Sequence, residues 1–252
     1  MTQTYIGVIF AVFAMKVIID KLIKLFLIMA HYEVEIKSLL GDKEKAINLK
    51  SKMCEIDPTC ACVSTNKQLN HYFHAGDVAV LYQKTEHLFT ATEKTNFKKL
   101  IEKGNDFSVR TRQKDDEVLL VVKASMDDGT SENTVKRMEF EEPVDISLYE
   151  LDALVLEAGY QYQAKWSRER EEYTYKGANV CFDRNAGYGY LAEFEKIVED
   201  EKLIDDARNE IEEMMNELGV DELSQERLAR MFDFYNQNWP DYYGTDKTFI
   251  ID

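Results

Sequence analysis

Apolar and charged residues alternate in several short stretches of this chain, which is the pattern of half-buried β-strands. In the first stretch, Glu33, Glu35 and Lys37 fall on one side of a predicted strand, and Val34 and Ile36 fall on the other. Charges of both signs on one face of a sheet must be paired or solvated. The pattern therefore predicts an α+β fold built on a closed antiparallel β-barrel with a polar lining. Later stretches with charged residues in similar surroundings are Arg110–Arg112, Leu119–Lys123, Arg137–Glu141, Arg168–Arg170 and Glu193–Glu195.

Helical spacing of apolar residues is found between and after these strands. It predicts a helix at Lys43–Met53, an inserted helical segment at about residues 75–106, and a helix at Ser147–Gly159. The insert is either a lid over one barrel mouth or a brace for the wall, and we favour the brace. Helical spacing of apolar residues also predicts a helix from Leu203 to Leu218, which ends at Gly219. We expect the helices to pack on the outside of the barrel.

The N-terminal segment, residues 1–28, differs from the rest of the chain. Its apolar run, Tyr5–Met15, is followed by charges that would share one face of a helix. Three interpretations stay open: a dispensable extension, a helix that lies in a membrane interface, and a packed helix. A peripheral membrane contact through residues 1–30 belongs to the second of these. The predicted barrel domain then covers residues 29–200, and C-terminal helices cover residues 201–252.

Composition and charge narrow the classes of partner. The chain has 252 residues and a formal net charge of −16, which argues against a nucleic acid bound by bulk charge. Its four cysteines lack Cys-x-x-Cys spacing, so we expect reduced thiols in a cytoplasmic protein. No third ligand lies near His71 and His74 in the sequence, so we expect surface or strand-end histidines. The sequence does not indicate the oligomeric state.

The ordered charge motifs resemble those of the CYTH superfamily, the triphosphate tunnel metalloenzymes. The opening motif of that family is similar to Glu33-x-Glu35-x-Lys37, and the arginine pair and the lysine-ended strand follow in the family order. The segment Asp183–Gly189, which leads into Glu193-x-Glu195, is similar to the final hairpin of the family. The resemblance covers about residues 31 to 200. It implies a tunnel that binds a small-molecule triphosphate, with Asp183 orienting a basic side chain.

The basic residues of the motifs suit a triphosphate ligand. A linear triphosphate carries several negative charges, and fixed cations are needed to hold it away from water. Arginine is well adapted because its planar guanidinium grips phosphate oxygens through two hydrogen bonds and keeps its charge. The inward register of the residues between 165 and 170 stays open. The candidate substrate-binding residues are Lys37, Arg110, Arg112, Lys123, Arg137, Lys165, Arg168 and Arg170.

The acidic residues would repel the same ligand unless a metal ion lay between them. Hard carboxylate oxygens are typical ligands of Mg²⁺ or Mn²⁺, and such an ion bridges carboxylate and phosphate. The candidate metal ligands are Glu33, Glu35, Glu193 and Glu195. Glu139 and Glu141 are candidate catalytic residues, which either complete a second metal site or orient and deprotonate a water.

We therefore expect a divalent-metal-dependent triphosphatase that acts on inorganic triphosphate or a small organic triphosphate. A class IV-type adenylyl cyclase, which makes cyclic AMP and pyrophosphate from ATP, is the alternative enzyme. Those cyclases place a His-Phe pair several residues before the first motif, whereas here His31-Tyr32 directly precedes Glu33. A third hypothesis is a non-catalytic module that binds triphosphate or polyphosphate. The number of carboxylates argues against it, because anion binding alone gains nothing from them.

Overall fold

The computed structural model of the chain describes residues 32–125 and 137–251. The N-terminal segment, residues 1–28, lies outside the described residues. None of the helices in the described part is long and apolar enough to cross a membrane. The described strands are β1 (Tyr32–Gly41), β2 (Ala61–Ala75), β3 (Asn105–Lys114), β4 (Glu117–Ser125), β5 (Arg137–Val144), β6 (Tyr160–Tyr175), β7 (Ala178–Asn185) and β8 (Gly189–Val198). The described α-helices are α1 (Lys43–Ile56), α2 (Val78–Thr85), α3 (Ala91–Lys103), α4 (Leu148–Glu157), α5 (Ile204–Leu218) and α6 (Gln225–Asn238).

The eight described strands form one antiparallel sheet, so the fold is α+β as predicted. Their order is β1-β8-β7-β6-β2-β3-β4-β5, and each neighbouring pair is antiparallel. Strands β1 and β5 are therefore the two edges of the hydrogen-bonded order. Backbone hydrogen bonds between described residues do not join these edges, so a closed barrel is not shown.

Strand β1 has the alternation that the sequence predicts. Val34 and Ile36 are buried, whereas Glu33 and Glu35 are exposed on the opposite side. The same alternation divides the whole sheet into two faces. We call the face that carries Glu35 the charged face, and the opposite face the helix-covered face.

Two apolar cores lie on the helix-covered face. Helices α1 and α5 pack on β1, β7 and β8 around Ile36 and Phe194. Helices α2 and α3, which make up the predicted insert, pack with α4 on the other half of the sheet, around Phe97 and Leu120. Burial of these large side chains holds the helices against the sheet. The insert thus packs against the sheet.

The helix boundaries follow local capping signals. Thr90 and Glu93 form a reciprocal capping box at the start of α3, and Ser147 and Glu150 do the same for α4. Helix α5 ends at Gly219, whose φ of 72° lies in the left-handed region that glycine adopts without strain.

Helix α6 departs from the expectation that every helix packs outside the sheet. Its Tyr235 ring stacks on Trp166 at a centroid distance of 3.5 Å, and Trp166 shares the charged face with Arg168, two residues along the strand. Leu39 and Leu191, at the same end of the charged face, belong to the same apolar cluster. Helix α6 therefore covers one end of the charged face with aromatic and aliphatic side chains.

The expectation for His71 was wrong, because this residue is 1% exposed. Its Nδ1 lies 2.7 Å from Asp152 Oδ2, and its Nε2 lies 2.8 Å from the Tyr243 hydroxyl. Thr111 and Tyr162 also donate hydrogen bonds to the Asp152 carboxylate. Burial of the carboxyl would raise the pKa of Asp152, but these hydrogen bonds lower it below the ordinary value of 3.8. His74 is exposed, as expected.

Replacing Asp152 by asparagine should destabilise the protein more at neutral pH than in acid. A folded-state pKa below the unfolded value means that the carboxylate stabilises the fold fully above the unfolded value, about 3.9, and loses this effect as the pH falls through the lower folded pKa. The difference in unfolding free energy between wild type and Asp152→Asn should therefore shrink from pH 7 to pH 3 in urea titrations. Asp145→Asn, at an exposed position, is the control and should change little. An Asp152→Asn difference that is independent of pH would contradict the assignment.

Candidate functional site

The charged face brings most of the predicted site residues together. On β1 and β8, Lys37 lies opposite Glu193, and Glu35 lies opposite Glu195. The arginines of β3 and β6 reach the same face from the other strands, as their pairing with neighbouring side chains shows. Further predicted residues on this face are Glu33, Arg110, Arg112, Lys123, Glu139, Glu141, Arg168, Arg170 and Asp183.

Asp183 holds two of the arginines in place. Its carboxylate is 1% exposed and accepts from Arg170 Nε and Nη2, each at 2.6 Å, and from Arg168 Nη1 at 2.8 Å. Register explains the contact, because Arg170 lies directly opposite Asp183 and Arg168 is opposite Asn185 on β7. A buried carboxylate that bonds to two guanidinium groups fixes both in orientation. This geometry matches the orienting role that the family resemblance implies.

Glu193 is an ion-pair partner of the cations around it. It accepts from Arg170 Nη2, and its Oε1 lies 3.4 Å from Lys37 Nζ. Burial would raise the pKa of Glu193, but the positive charges of Lys37 and Arg170 lower it to about 2. The carboxyl is therefore ionised throughout the physiological range. Its bonds to two cations leave it less available to a metal ion than Glu35 or Glu195.

Glu33, Glu35 and Glu195 form an acidic end of the charged face, away from α6. Burial and the negative charge of Glu33 raise the pKa of Glu195, and a hydrogen bond from Asn179 offsets this in part. Glu35 forms an ion pair with Lys37. Two carboxylates directly opposite each other in an antiparallel pair repel each other unless a cation lies between them. Glu35 and Glu195 are placed in this way.

Two further carboxylates line the charged face near the other edge of the sheet. Glu139 lies 3.0 Å from Lys123 Nζ, and Glu141 accepts from Arg112 Nη1 at 2.8 Å. Partial burial raises the pKa of Glu141, Arg112 opposes that rise, and the negative charge of Glu139 adds to it. Lys123 also lies 4.0 Å from Glu33, across the gap between the sheet edges. Charged side chains thus come close to each other across the two sheet edges, although no backbone hydrogen bonds between described residues join these edges.

A ladder of neutral amides on β2 supports the arginines, and none of these amides is among the predicted site residues. Gln68 accepts from Arg168 Nε at 2.9 Å, and Asn70 accepts from Arg112 Nε at 2.7 Å. Gln68 donates to Asn66 at 2.7 Å, and all three amides are buried. Their spacing of two residues was a signal in the sequence. Amides are common on exposed strands, however, so the spacing alone does not separate a site from a surface.

Arg110 is poised for a further hydrogen bond. Its Nη1 donates to the Tyr72 hydroxyl at 3.1 Å, and its guanidinium lies 4.7 Å from the centroid of the Tyr72 ring. Its buried Nε has no hydrogen-bond partner among the described residues. A buried donor without an acceptor is costly, so the site favours an anion beside it.

Two predicted site residues are not shown on the charged face. The ammonium group of Lys165 lies over the Tyr162 ring, 4.1 Å from its centroid, on the helix-covered face. The physical reason is the strand period of two, since Lys165 is an odd number of residues from Arg168 and Arg170. The side chain of Arg137 lies outside the described part of the structure.

The acidic end fits a divalent metal ion through its donor chemistry. In the ranges 32–125 and 137–251, no three His, Cys, Asp or Glu side chains are grouped closely enough to hold a metal by themselves. Mg²⁺ does not require such a group, because it usually keeps several waters and binds one or two carboxylates together with substrate phosphates. Glu35 and Glu195, with Glu33 nearby, supply hard oxygen donors of this kind.

Comparisons with known proteins agree with this architecture. A family model described as the CYTH domain matches residues 95–229, a range that begins after the Glu33–Lys37 motif. A search of curated proteins found no match. The chain resembles the solved structure of the PH1819 protein from Pyrococcus horikoshii, with 22% identity, a TM-score of 0.53, and coverage of 79% of this chain and 98% of that one.

Two other solved structures have a similar fold. The PH1012 protein from Pyrococcus horikoshii is 15% identical, with a TM-score of 0.52, over 77% of this chain and 92% of that one. A protein from Vibrio parahaemolyticus, described as a candidate adenylate cyclase, is 14% identical, with a TM-score of 0.51, over 79% of this chain and 98% of that one. At these identities the likeness shows a shared fold.

Proposed function

Because the chain belongs to the CYTH domain family, we propose that it is a divalent-metal-dependent phosphohydrolase of inorganic triphosphate or of a small organic or nucleoside triphosphate. The substrate would bind along the charged face, inside a tunnel formed where the edges β1 and β5 approach each other. The observation that carries the proposal is the joint presence of six cationic side chains and an acidic end on one face. These cations are Lys37, Arg110, Arg112, Lys123, Arg168 and Arg170.

The geometry of these cations suits the binding of an anionic ligand as well as the stabilisation of the fold. Structural ion pairs bury charge at a cost that apolar packing avoids, so a large internal set suggests a binding site. The amide ladder and Asp183 accept hydrogen bonds from the Nε atoms of Arg112, Arg168 and Arg170, which fixes these three guanidinium planes. Fixed donors lose little entropy when phosphate oxygens bind.

The acidic end would hold the metal ion. CYTH enzymes generally depend on a divalent metal, and Glu35, Glu195 and Glu33 are the residues that would hold it here. When bound, such an ion neutralises phosphate charge and activates water at neutral pH. Lys37, which pairs with Glu35, lies beside these carboxylates and would contribute positive charge to the phosphates.

Glu141 is the residue best suited to orient and deprotonate the attacking water. Its raised pKa brings its basicity closer to the operating pH, which favours general base catalysis. Arg112 donates to one of its carboxylate oxygens, Oε1, which orients the carboxylate on the charged face. Glu139, paired with Lys123, maintains the negative charge that raises this pKa.

The test uses the purified full chain with Mg²⁺ or Mn²⁺ and either triphosphate or ATP, followed by separation of the products. Orthophosphate from triphosphate supports the hydrolase. Cyclic AMP and pyrophosphate from ATP would overturn it in favour of the alternative enzyme, the adenylyl cyclase. Metal-dependent binding of triphosphate without any product would leave a binding module. Absence of both binding and turnover would refute all three.

Replacing Arg112 by alanine should raise KM for the triphosphate by about tenfold or more, because one charged hydrogen bond to phosphate contributes about 1.5–3 kcal/mol. Steady-state kinetics would measure the effect, and Arg112→Lys should recover part of it by keeping the charge. Arg184→Ala is the matched control, since Arg184 pairs with Glu169 and Asp246 on the helix-covered face. An unchanged KM in Arg112→Ala would remove this residue from the phosphate site.

A further inference from the structure

Two cysteine thiols lie in contact on the helix-covered face. Cys54 is exposed in the last turn of α1, and Cys60, partly buried against the core, immediately precedes β2. Their Sγ atoms are 3.3 Å apart. When the backbone already places two cysteines close together, a change in the side-chain torsion angles is enough to bring the sulfurs to bonding distance.

A hydrogen-bonded turn holds the thiols in this position. Asp57 Oδ1 accepts from the Thr59 amide at 2.8 Å and from its hydroxyl at 2.6 Å, and the Cys60 amide donates to the Asp57 carbonyl at 3.0 Å. The second carboxylate oxygen accepts from the Lys176 amide at 2.9 Å, which ties the turn to the β6–β7 hairpin. The contact between the thiols is therefore fixed by the fold of the segment.

The two thiols differ in a way that assigns their roles. Cys60 is partly buried, and burial together with the contact with Cys54 raises the pKa of its thiol to about 12. Cys54 is the more exposed of the two, so it is the thiol that an oxidant in solution reaches first. Cys54 is then the attacking sulfur, and Cys60 is the resolving one.

We propose that Cys54 and Cys60 form a redox modification site, at which a peroxide converts the two thiols into an intramolecular disulfide. In the first step, the Cys54 thiolate attacks a peroxide oxygen, the O–O bond breaks, and a sulfenic acid forms while hydroxide leaves and is protonated to water. In the second step, the Cys60 sulfur attacks the Cys54 sulfur, the S–S bond forms as the S–O bond breaks, and the departing hydroxyl takes up the Cys60 proton and leaves as water. Two thiols are oxidised by two electrons, and one peroxide is reduced to two waters.

The other described cysteines provide internal comparisons. Cys62 is exposed and only two residues from Cys60, but its thiol lies against the Ser64 carbonyl at 3.5 Å. Cys181 is buried in β7. Exposure alone would therefore make Cys62 as reactive as Cys54, whereas proximity of a second thiol would single out the pair Cys54 and Cys60.

The test is peptide mapping by mass spectrometry of the full chain after titration with hydrogen peroxide, without reductant. The expected product is a peptide pair joined through Cys54 and Cys60, formed before Cys62 is modified and reversed by dithiothreitol. A disulfide stabilises a protein by constraining its unfolded chain, and a short ring such as this one gives a modest effect. The oxidised protein should therefore melt about 5 °C higher than the reduced one. Oxidation of Cys62 before the pair, or persistent sulfenic and sulfinic acid at Cys54 with Cys60 still reduced, would overturn the proposal.

Single substitutions separate the roles of the two thiols. Cys60→Ser should leave a sulfenic acid at Cys54 that a dimedone probe traps, because no resolving thiol remains. Cys62→Ser should form the disulfide as the wild type does. A disulfide that requires Cys62 would refute the assigned pair. All of these readouts are independent of any activity on triphosphates.

Discussion

Replacing Asp183 by alanine is expected to lower the free energy of unfolding by about 3–5 kcal/mol, because it leaves two guanidinium groups without their shared buried counter-charge. Asp183 is 1% exposed, and the side chains of Arg168 and Arg170 are 18% and 15% exposed. Water therefore cannot replace the lost carboxylate freely. Urea denaturation monitored by tryptophan fluorescence and by circular dichroism would measure the change.

Two further variants separate charge from shape at this position. Asp183→Asn keeps the size of the side chain but loses its charge, so it should recover only part of the stability. Asp246→Ala removes an aspartate that also pairs with an arginine, Arg184, but is 84% exposed, so it should cost less than about 1 kcal/mol. Equal effects of Asp183→Ala and Asp246→Ala would refute the view that Asp183 anchors the arginines.

The part of the site that the sequence could predict is the part that local alternation determines. Glu35 and Lys37 share a face because strand side chains have a period of two, and this holds before any partner strand is known. Arg168 and Arg170 follow the same rule. The same rule separates them from Lys165, which lies an odd number of residues away and therefore points to the opposite face, over the Tyr162 ring.

Features that depend on contacts between distant residues could not be predicted in this way. His71 is buried because Asp152 and Tyr243 come to it from other elements of the chain. Helix α6 has the amphipathic spacing of an ordinary surface helix, and only the tertiary structure places Tyr235 on Trp166 at the end of the charged face. The relation between β1 and β5 is likewise a property of the two sheet edges and not of either strand alone.

The candidate site likewise depends both on the residue types along each strand and on the contacts between strands. The charge motifs indicate which residue types are available, but the register decides which of them meet. Glu193 illustrates this point, since its motif resembles a pair of metal ligands while its contacts are with Lys37 and Arg170. Glu35 and Glu195, directly opposite each other, are the more suitable carboxylates for a cation.

Replacing Glu35 by glutamine should abolish metal-dependent turnover while leaving the fold intact. A bound metal ion contributes several kcal/mol to transition-state stabilisation, and each 1.4 kcal/mol corresponds to about tenfold in rate, so kcat should fall by about a thousandfold. The neutral amide keeps the size of the side chain on a strand whose buried face is unchanged. Circular dichroism and the melting temperature should therefore stay close to those of the wild type.

Metal binding provides a second readout that does not depend on turnover. Calorimetric titration with Mn²⁺ should show weaker binding in Glu35→Gln, because an amide oxygen is a poorer ligand than a carboxylate. Glu171→Gln is the matched control, since Glu171 lies on the helix-covered face and pairs with Lys50 at 2.9 Å. It should keep both the metal affinity and kcat. Wild-type metal affinity and turnover in Glu35→Gln would place the metal elsewhere and remove Glu35 from the site.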